Sequence, residues 1–216
     1  MLEYLSVDTV ALTVVGYPLS YIEAVGTVLY LLSVWLVTKR HMLTWPIGLA
    51  SSLLFMVLFY QVALYSDALE QFYYFGACVY GWVFWSRSTQ ESDTATGVRY
   101  SSRQAIVGWA FVTFAASIVL ALFVARLHRF LPALFPEPAS YPFFDALTTA
   151  MSFSAMWLLA RKRIESWAYW IAADLIGIGL YYLKSVRFIS LLYVVLLFLA
   201  IRGFVDWRRI HASTIR

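Results

Sequence analysis

The sequence predicts an all-α integral membrane protein with seven transmembrane helices. Of its 216 residues, 62% are hydrophobic and only 13% are charged, whereas about 25% of the residues of a soluble domain are charged. Its apolar runs reach the roughly 20 residues that cross a bilayer as a helix. A run such as Leu53-Leu54-Phe55-Met56 lacks the alternating polarity of a barrel strand. This composition excludes most soluble enzymes and nucleic-acid-binding modules, so we expect no nucleic-acid partner.

The predicted spans cover residues 22–38, 42–66, 69–86, 104–125, 145–160, 167–183 and 188–207. The spans 42–66 and 104–125 contain no charged residue. The span 167–183 carries Asp174 well inside it, where an acid is costly and usually faces a cavity or a partner. The stretch before the first span contains Glu3 and Asp8 and is too short to cross, so we predict an interfacial segment. It does not resemble a signal peptide, because no Lys or Arg precedes Lys39.

The basic residues predict the orientation of the chain. Twelve of the 16 Lys and Arg residues fall on one side of the predicted membrane, and Arg126, Arg129, Lys184 and Arg187 fall on the other. Because cytoplasmic loops carry the excess of Lys and Arg, we expect an external N-terminus and a cytoplasmic C-terminus. The single cysteine excludes an intrachain disulfide.

An internal repeat becomes visible when the sequence is shifted by 122 positions. The shift superposes Trp35 on Trp157, Trp45 on Trp167, Tyr60 on Tyr182, Gly81 on Gly203 and Trp85 on Trp207. Each repeat contains three helices and the fourth helix joins them, which predicts two parallel three-helix bundles in a 3+1+3 arrangement. Transporters built this way hold their substrate between the halves.

This organisation divides the chain into seven parts. They are an N-terminal segment (1–17), a first bundle (18–86), a cytoplasmic loop (87–103), a linker helix (104–126), an external loop (127–142), a second bundle (143–207) and a cytoplasmic tail (208–216). Neither long loop resembles a separate domain.

Candidate substrate-binding residues lie on two helix faces. Trp167, Trp170, Asp174 and Tyr181 recur at spacings that place them on one face, and aromatic rings with a carboxylate suit a flat cationic or polar heterocycle. The alternative is a structural hydrogen bond by Asp174, with Trp167 at the membrane interface. Gln71, Tyr74, Cys78 and Trp82 form a second face, although Cys78 could simply pack.

Further candidates lie in the first bundle and at the helix starts. Ser51 could bind substrate or pack between helices, and Trp45 is the repeat equivalent of Trp167. Glu23 and Asp145 occupy equivalent helix starts, where an outer gate or rim competes with simple stabilisation by the helix dipole.

The predicted membrane spans offer few candidate catalytic residues. His41, His128 and His211 lie in predicted loops or tails, and no glycine-rich phosphate-binding motif occurs. We therefore expect no catalytic residue, no metal and no cofactor, and we do not expect an enzyme. A seven-helix photoreceptor is disfavoured because the last span has no Lys for a retinal Schiff base. A membrane-embedded enzyme is disfavoured because Asp174 lacks a second carboxylate or histidine within the membrane.

Several sequence blocks resemble one transporter family. The blocks are Ile22-Glu23-Ala24-Val25-Gly26, Trp45-Pro46-Ile47-Gly48, Gln61-Val62-Ala63-Leu64-Tyr65, Gln71 followed by Tyr80-Gly81-Trp82 and Trp85, and Glu165-Ser166-Trp167-Ala168-Tyr169-Trp170. Their order and spacing over residues 17–210 resemble the PnuC family of bacterial vitamin transporters, which is similar in fold to SWEET sugar transporters.

The resemblance implies facilitated diffusion of nicotinamide riboside across a bacterial inner membrane, with trapping by a cytoplasmic kinase. Relatives in the same superfamily carry thiamine, riboflavin or deoxynucleosides, so these substrates stay open, as does assembly into a homo-oligomer. Ser51, Cys78 and Asp174 stand where the family pattern has asparagine. We expect these positions to influence the choice of substrate.

Overall fold

The computed structural model describes residues 6–14, 16–62, 65–90, 97–130, 141–184 and 187–214. In these ranges the chain forms seven helices: α1 (Tyr21–Thr38), α2 (Thr44–Gln61), α3 (Tyr65–Gln90), α4 (Arg103–Phe130), α5 (Pro142–Ala160), α6 (Ser166–Leu183) and α7 (Arg187–Thr214). The all-α membrane fold is therefore confirmed. Most of the predicted external loop, including its prolines at 132, 136 and 138, lies outside the described residues.

Five of the helices are long and apolar enough to cross a membrane by themselves, namely α1, α2, α4, α5 and α7. The other two, α3 and α6, carry Asp67, Glu70 and Asp174. Polar groups inside a bilayer have to face protein or a water-filled space. Helices α3 and α6 are thus the ones whose composition marks an interior face.

The predicted span 42–66 is too long at its end. Helix α2 stops at Gln61 and α3 begins at Tyr65, with Val62 as the C-cap of α2. Residues 62–64, between the two helices, are all apolar, so hydropathy continues across them and does not mark the break.

Six helices form a closed ring around a central axis. Contacts between neighbours run from α1 to α2, α3, α5, α6 and α7, and α7 closes the ring on α1. Helix α4 packs on α5 outside this ring. The first half (α1 to α3) and the second half (α5 to α7) consequently meet along the α3–α5 and α1–α7 contacts, with a shared interior between them.

The turns that follow α1 and α5 share one backbone conformation. Arg40 and Lys162, 122 residues apart, both have φ of 57°, an uncommon value for residues other than glycine. The amide of His41 donates to the Leu36 carbonyl at 3.0 Å, and the equivalent bond from Arg163 to Leu158 is 2.9 Å. The repeat seen in the sequence therefore recurs in the backbone geometry. We call the end of the ring that carries turns 39–43 and 161–165 the basic end.

Equivalent tryptophans pack on equivalent glycines near the basic end. The Trp45 ring lies directly on Gly81, and a Cβ atom added to Gly203 would come within 2.5 Å of the Trp167 Cη2 atom. Trp45 and Trp167 are 2% and 1% exposed. Because a side chain at either glycine would collide with an indole, the close approach of α2 to α3 and of α6 to α7 depends on these glycines.

Two indole hydrogen bonds join the halves at the basic end. Trp85 of α3 donates to the carbonyl of Ala160 at 2.9 Å, and Trp207 of α7 donates to the carbonyl of Val37 at 3.3 Å. Each bond runs from the third helix of one half to the end of the first helix of the other. In this conformation the two halves are therefore held together at the basic end.

Residues 97–102, which precede α4, also cross the basic end. The amide of Arg99 donates to the Lys162 carbonyl and the amide of Ile164 donates to the Arg99 carbonyl, both at 3.1 Å. Val98 is 2% exposed within the hydrophobic cluster that contains Trp85 and Trp207. This segment adds a further cover over the basic end.

A β-hairpin precedes α1, a feature that the sequence analysis did not predict. Strand β1 (Val10–Val14) pairs antiparallel with β2 (Tyr17–Ser20), and Gly16 has φ of 79° in the connection, a value that glycine adopts without strain. The Tyr17 ring stacks on Phe188 at 5.3 Å. The hairpin thus packs at the end of the ring opposite the basic end.

Candidate functional site

Four side chains from both halves meet inside the ring, and we call them the central cluster: Tyr30 of α1, Tyr74 of α3, Asp174 of α6 and Tyr193 of α7. The Asp174 carboxylate interacts electrostatically with Tyr30 and Tyr193, and Tyr74 interacts with the same two tyrosines. Asp174 is 3% exposed, and no side chain of the described residues forms a hydrogen bond or ion pair with its carboxylate. A buried carboxylate without such a partner is costly, so the cluster is suited to receive a polar or cationic group.

The three tyrosines of the central cluster come from three helices, α1, α3 and α7, and each is half-buried. Together with Asp174 of α6 they bring three phenol rings and one carboxylate from four helices into one cluster.

Gly177 sets the position of the Tyr193 ring. A Cβ atom at residue 177 would lie 2.6 Å from the Cδ1 and Cε1 atoms of Tyr193, closer than packed carbon atoms approach. On another side the ring stacks on Tyr181, with centroids 5.4 Å apart and an interplanar angle of 20°. Helix α6 thus fixes this ring by one close backbone contact and one stacking contact.

Aromatic packing joins the two halves beside the central cluster. The ring centroids of Tyr73 and Phe153 are 4.2 Å apart, and Tyr74 meets Phe153 edge-on at 5.9 Å. The Tyr73 hydroxyl donates to the Phe153 carbonyl at 2.6 Å. The α3–α5 contact therefore carries one of the cluster residues.

Charged residues lie between the central cluster and the end opposite the basic end, and we call them the entrance cluster: Asp67, Glu70, Asp145 and Lys184. Lys184 contacts both carboxylate oxygens of Asp145, at 2.8 and 2.9 Å. Thr149 donates to Glu70 at 3.1 Å. Tyr181 interacts electrostatically with Asp67, Glu70 and Asp145 and stacks on Tyr193, so it connects the two clusters. The cluster thus contains three acids and one cation.

Among the predicted site residues, the structure brings Asp174 and Tyr74 into the central cluster and Asp145 into the entrance cluster, with Tyr181 between the two clusters. Trp170 is half-buried and packs against the hydrophobic cluster, and Gln71 is half-buried on α3. Glu23 lies in the first turn of α1, whose N-terminus is capped by Ser20. Burial, followed by the neighbouring Glu23 carboxylate, raises the pKa of Tyr17. Direct contact of Trp170, Gln71 and Glu23 with substrate stays a prediction.

The structure places Ser51 and Cys78 in helix packing. Ser51 donates to the Gly26 carbonyl at 2.9 Å. The Cys78 sulfur lies 3.0 Å from the position of a Cβ atom at Gly48. Trp82, on the same predicted face as Cys78, is instead 43% exposed.

Trp45 and Trp167 keep one feature of a binding role. Both Nε1 atoms are buried and have no hydrogen-bond acceptor in the described part of the chain. Leaving a buried donor unsatisfied costs about 1–3 kcal/mol. Each indole N–H is therefore able to donate to a polar group of a ligand or to water.

Sequence reasoning missed Tyr30, Tyr193, Asp67 and Glu70. Tyr30 and Tyr193 were treated as part of apolar spans, and the two acids precede or begin the predicted span 69–86. A signal was present, since each is a polar group within or beside a membrane-spanning segment. Their meeting point depends on the ring order of the helices, which the spacing within one helix cannot give.

Comparison with known proteins decides the family. A family model described as nicotinamide mononucleotide transporter matches residues 20–209. The chain belongs to this family. Its members are membrane transporters and not enzymes, so this PnuC-family chain is a multi-pass transporter with a small-molecule, vitamin-class substrate.

Relatives and a solved structure agree with this family assignment. The chain is 31% identical over 207 residues to the nicotinamide riboside transporter PnuC of Escherichia coli, covering 89% of this chain and 87% of the relative. It is 30% identical over 188 residues to the riboflavin/roseoflavin transporter RibM of Streptomyces davaonensis, covering 86% and 83%. The crystal structure of the vitamin B3 transporter PnuC matches with a TM-score of 0.64 at 20% identity, covering 89% of this chain and 83% of that chain. The last comparison supports the fold of this PnuC-family chain.

Proposed function

We propose that this chain carries nicotinamide riboside across a bacterial inner membrane by facilitated diffusion. The observation that carries the proposal is the buried Asp174 carboxylate, which lies among Tyr30, Tyr74 and Tyr193 without a hydrogen-bonding or ionic partner among the described residues. Nicotinamide riboside contains a positively charged pyridinium ring. The name of the Escherichia coli relative supports the same substrate.

The central cluster suits a flat cation for two physical reasons. A cation over a desolvated aromatic ring gains about 2 kcal/mol or more. A charge pair with Asp174 compensates the carboxylate for its loss of water. The phenol hydroxyls can in addition bond to ribose.

The entrance cluster favours the approach of a cation. Asp67, Glu70 and Asp145 face one cation, Lys184, along the route that Tyr181 connects to Tyr193. A cleft lined by one sign of charge raises the local concentration of oppositely charged ligands. With an external N-terminus this end faces outside, where Asp145 and Glu23 form the rim.

Transport follows from rocking of the two halves around the central cluster. The hydrogen bonds of Trp85 to Ala160 and of Trp207 to Val37 hold the basic end closed and have to break before the substrate leaves. A cytoplasmic kinase then traps the product by phosphorylation, which makes net uptake possible without an energy source in this chain.

Riboflavin is the second candidate substrate. The observation in its favour is the 30% identity to RibM, nearly equal to the identity to PnuC. Riboflavin is neutral, so stacking on the tyrosines would have to supply its binding energy and Asp174 would have no charge to neutralise.

The two substrates are distinguished by calorimetric binding to the detergent-purified protein and to Asp174→Asn. Loss of a charge-assisted interaction of about 1.5–3 kcal/mol predicts that the affinity for nicotinamide riboside falls by about 10-fold to 150-fold. Asp206→Asn, at the basic end and outside both clusters, is the matched control and should bind as the wild type does.

Two results would contradict the proposal. One is unchanged affinity for nicotinamide riboside in a folded Asp174→Asn protein. The other is tight wild-type binding of riboflavin or thiamine in place of nicotinamide riboside. Facilitated diffusion is tested separately in kinase-free vesicles, where an uncoupler should leave uptake unchanged; abolished uptake would instead indicate proton coupling.

A further inference from the structure

Two adjoining grooves lie at the basic end, on the outer side of the α1–α7 contact. The first is lined by Thr38, Lys39, Arg40, Asp206, Arg209 and Ile210. The second is lined by Phe198, Ile201, Arg202, Val205, Asp206 and Arg209. Because Asp206 and Arg209 border both grooves, the two form one continuous surface, which we call the α1–α7 groove.

Positive charge exceeds negative charge in the α1–α7 groove. Asp206 pairs with Lys39 at 3.2 Å and lies 3.9 Å from Arg202. Arg40 and Arg209 have no acidic partner among the residues that the structure describes. The groove therefore holds two guanidinium groups without an acidic partner among the described residues, and each can form bidentate hydrogen bonds to an anion.

A neighbouring lysine strengthens this positive potential. Lys162, from the turn after α5, is 7% exposed. Its burial, followed by the nearby Arg40 guanidinium, lowers the pKa of Lys162. The interaction shows that Arg40 lies close to a second cation, an arrangement that an anion would stabilise.

The other half of the groove is apolar and faces outward. Phe198, Ile201 and Val205 are 65%, 46% and 38% exposed along α7, at the spacings of one helix face. In a membrane-spanning helix such a face meets lipid. One turn further along the same helix lie Arg208 and Arg209, so the groove runs from the hydrocarbon region into the headgroup region.

We propose that the α1–α7 groove binds an anionic phospholipid, with its phosphate at Arg40 and Arg209 and one acyl chain along Phe198, Ile201 and Val205. The two arginines favour an anionic headgroup. The apolar residues along α7 favour a lipid over free phosphate, which has no acyl chain. Basic pockets between transmembrane helices are suited to acidic lipid headgroups on physical grounds. The site is separate from the central cluster, so the inference does not depend on which vitamin is carried.

The experiment is a lipid titration of the detergent-purified protein followed by native mass spectrometry. The probes are phosphatidylglycerol, phosphatidylcholine of the same acyl chains, and inorganic phosphate. We expect phosphatidylglycerol to bind at least fivefold more tightly than phosphatidylcholine, because the groove has cations without acidic partners. Inorganic phosphate should bind more weakly still, because it lacks the acyl chains.

Neighbouring arginines on α7 provide matched variants. Arg209→Gln should weaken phosphatidylglycerol binding about fivefold, the effect of one cation near an anionic headgroup. Arg208 lies over the Phe204 ring and lines neither groove, so Arg208→Gln should bind as the wild type does. Equal binding of both phospholipids, or equal losses in the two variants, would overturn the inference. Phosphate binding as tight as that of phosphatidylglycerol would show an anion site without a lipid.

Discussion

A single methyl group added at Gly177 should weaken substrate binding by displacing Tyr193. The new Cβ atom would lie 2.6 Å from two ring atoms, while ordinary contact begins at 3.4 Å. The ring would therefore have to retreat by about 0.8 Å, the difference between these two distances. Its stacking contact with Tyr181 at 5.4 Å obstructs movement in that direction.

The expected magnitude follows from the cost of overpacking. An extra methyl group in a packed site costs about 1–3 kcal/mol, which corresponds to about a 5-fold to 150-fold loss of affinity if the bound state bears the cost. The assay is calorimetric titration of Gly177→Ala with nicotinamide riboside, accompanied by thermal unfolding. Gly179→Ala is the control, because nothing lies within 4 Å of a Cβ atom at that position of the same helix.

Two further variants test whether the displaced Tyr193 ring causes the loss of affinity. Gly179→Ala should bind as the wild type does and should be at least as stable, since alanine reduces the entropy of the unfolded chain. If Gly177→Ala is too unstable to purify, the double variant Gly177→Ala with Tyr193→Ala removes the clash and should regain stability without regaining affinity. Wild-type affinity in Gly177→Ala, or in the double variant, would show that the Tyr193 ring is not part of the binding site.

Two other predictions concern the basic end. Gly203→Ala should lower the free energy of unfolding by about 1–3 kcal/mol, because its Cβ atom would meet the buried Trp167 ring. Gly108→Ala, in open space on α4, is the control and should not lower it. Equal thermal stability of the two variants would contradict the packing argument. Trp85→Phe removes the hydrogen bond to Ala160, which is worth about 1 kcal/mol. Because the two halves then separate more often, the alkylation rate of Cys78 should rise about fivefold. Cys78 is only 5% exposed in the closed structure. Trp109→Phe is the control, because Trp109 lies on α4, which packs on α5 outside the ring. An unchanged rate in Trp85→Phe would show that this bond does not hold the halves closed.

The fold could be predicted well where the physics is local. All seven predicted spans start within four residues of a helix start, because a bilayer requires long apolar helices. The end of span 42–66 was wrong, because residues 62–64, which follow the end of α2, are apolar as well. The hairpin of residues 10–20 was missed, because its pairing is a contact between segments and its residues are also compatible with an interfacial stretch.

The site was predictable only in part. Asp174 stood out because a carboxylate within an apolar span is costly. Tyr30 and Tyr193 gave a weaker signal, because tyrosine is common near membrane interfaces and only its depth makes it informative. Ser51 attracted attention as a polar residue, but its hydroxyl is used by the Gly26 carbonyl, a partner on another helix.

The sequence by itself determined the membrane class, the helices and the repeat of 122 residues, because apolarity, span length and aligned tryptophans are properties of consecutive residues. It also determined that Arg40 and Lys162 occupy equivalent positions. Only the tertiary structure decided that α2 and α6 stand in the middle of their halves and that α3 meets α5 and α7 meets α1. These contacts bring tyrosines of three other helices into one cluster with Asp174 of α6. They arise from packing between distant segments, such as indole against glycine, which no periodicity within one helix records.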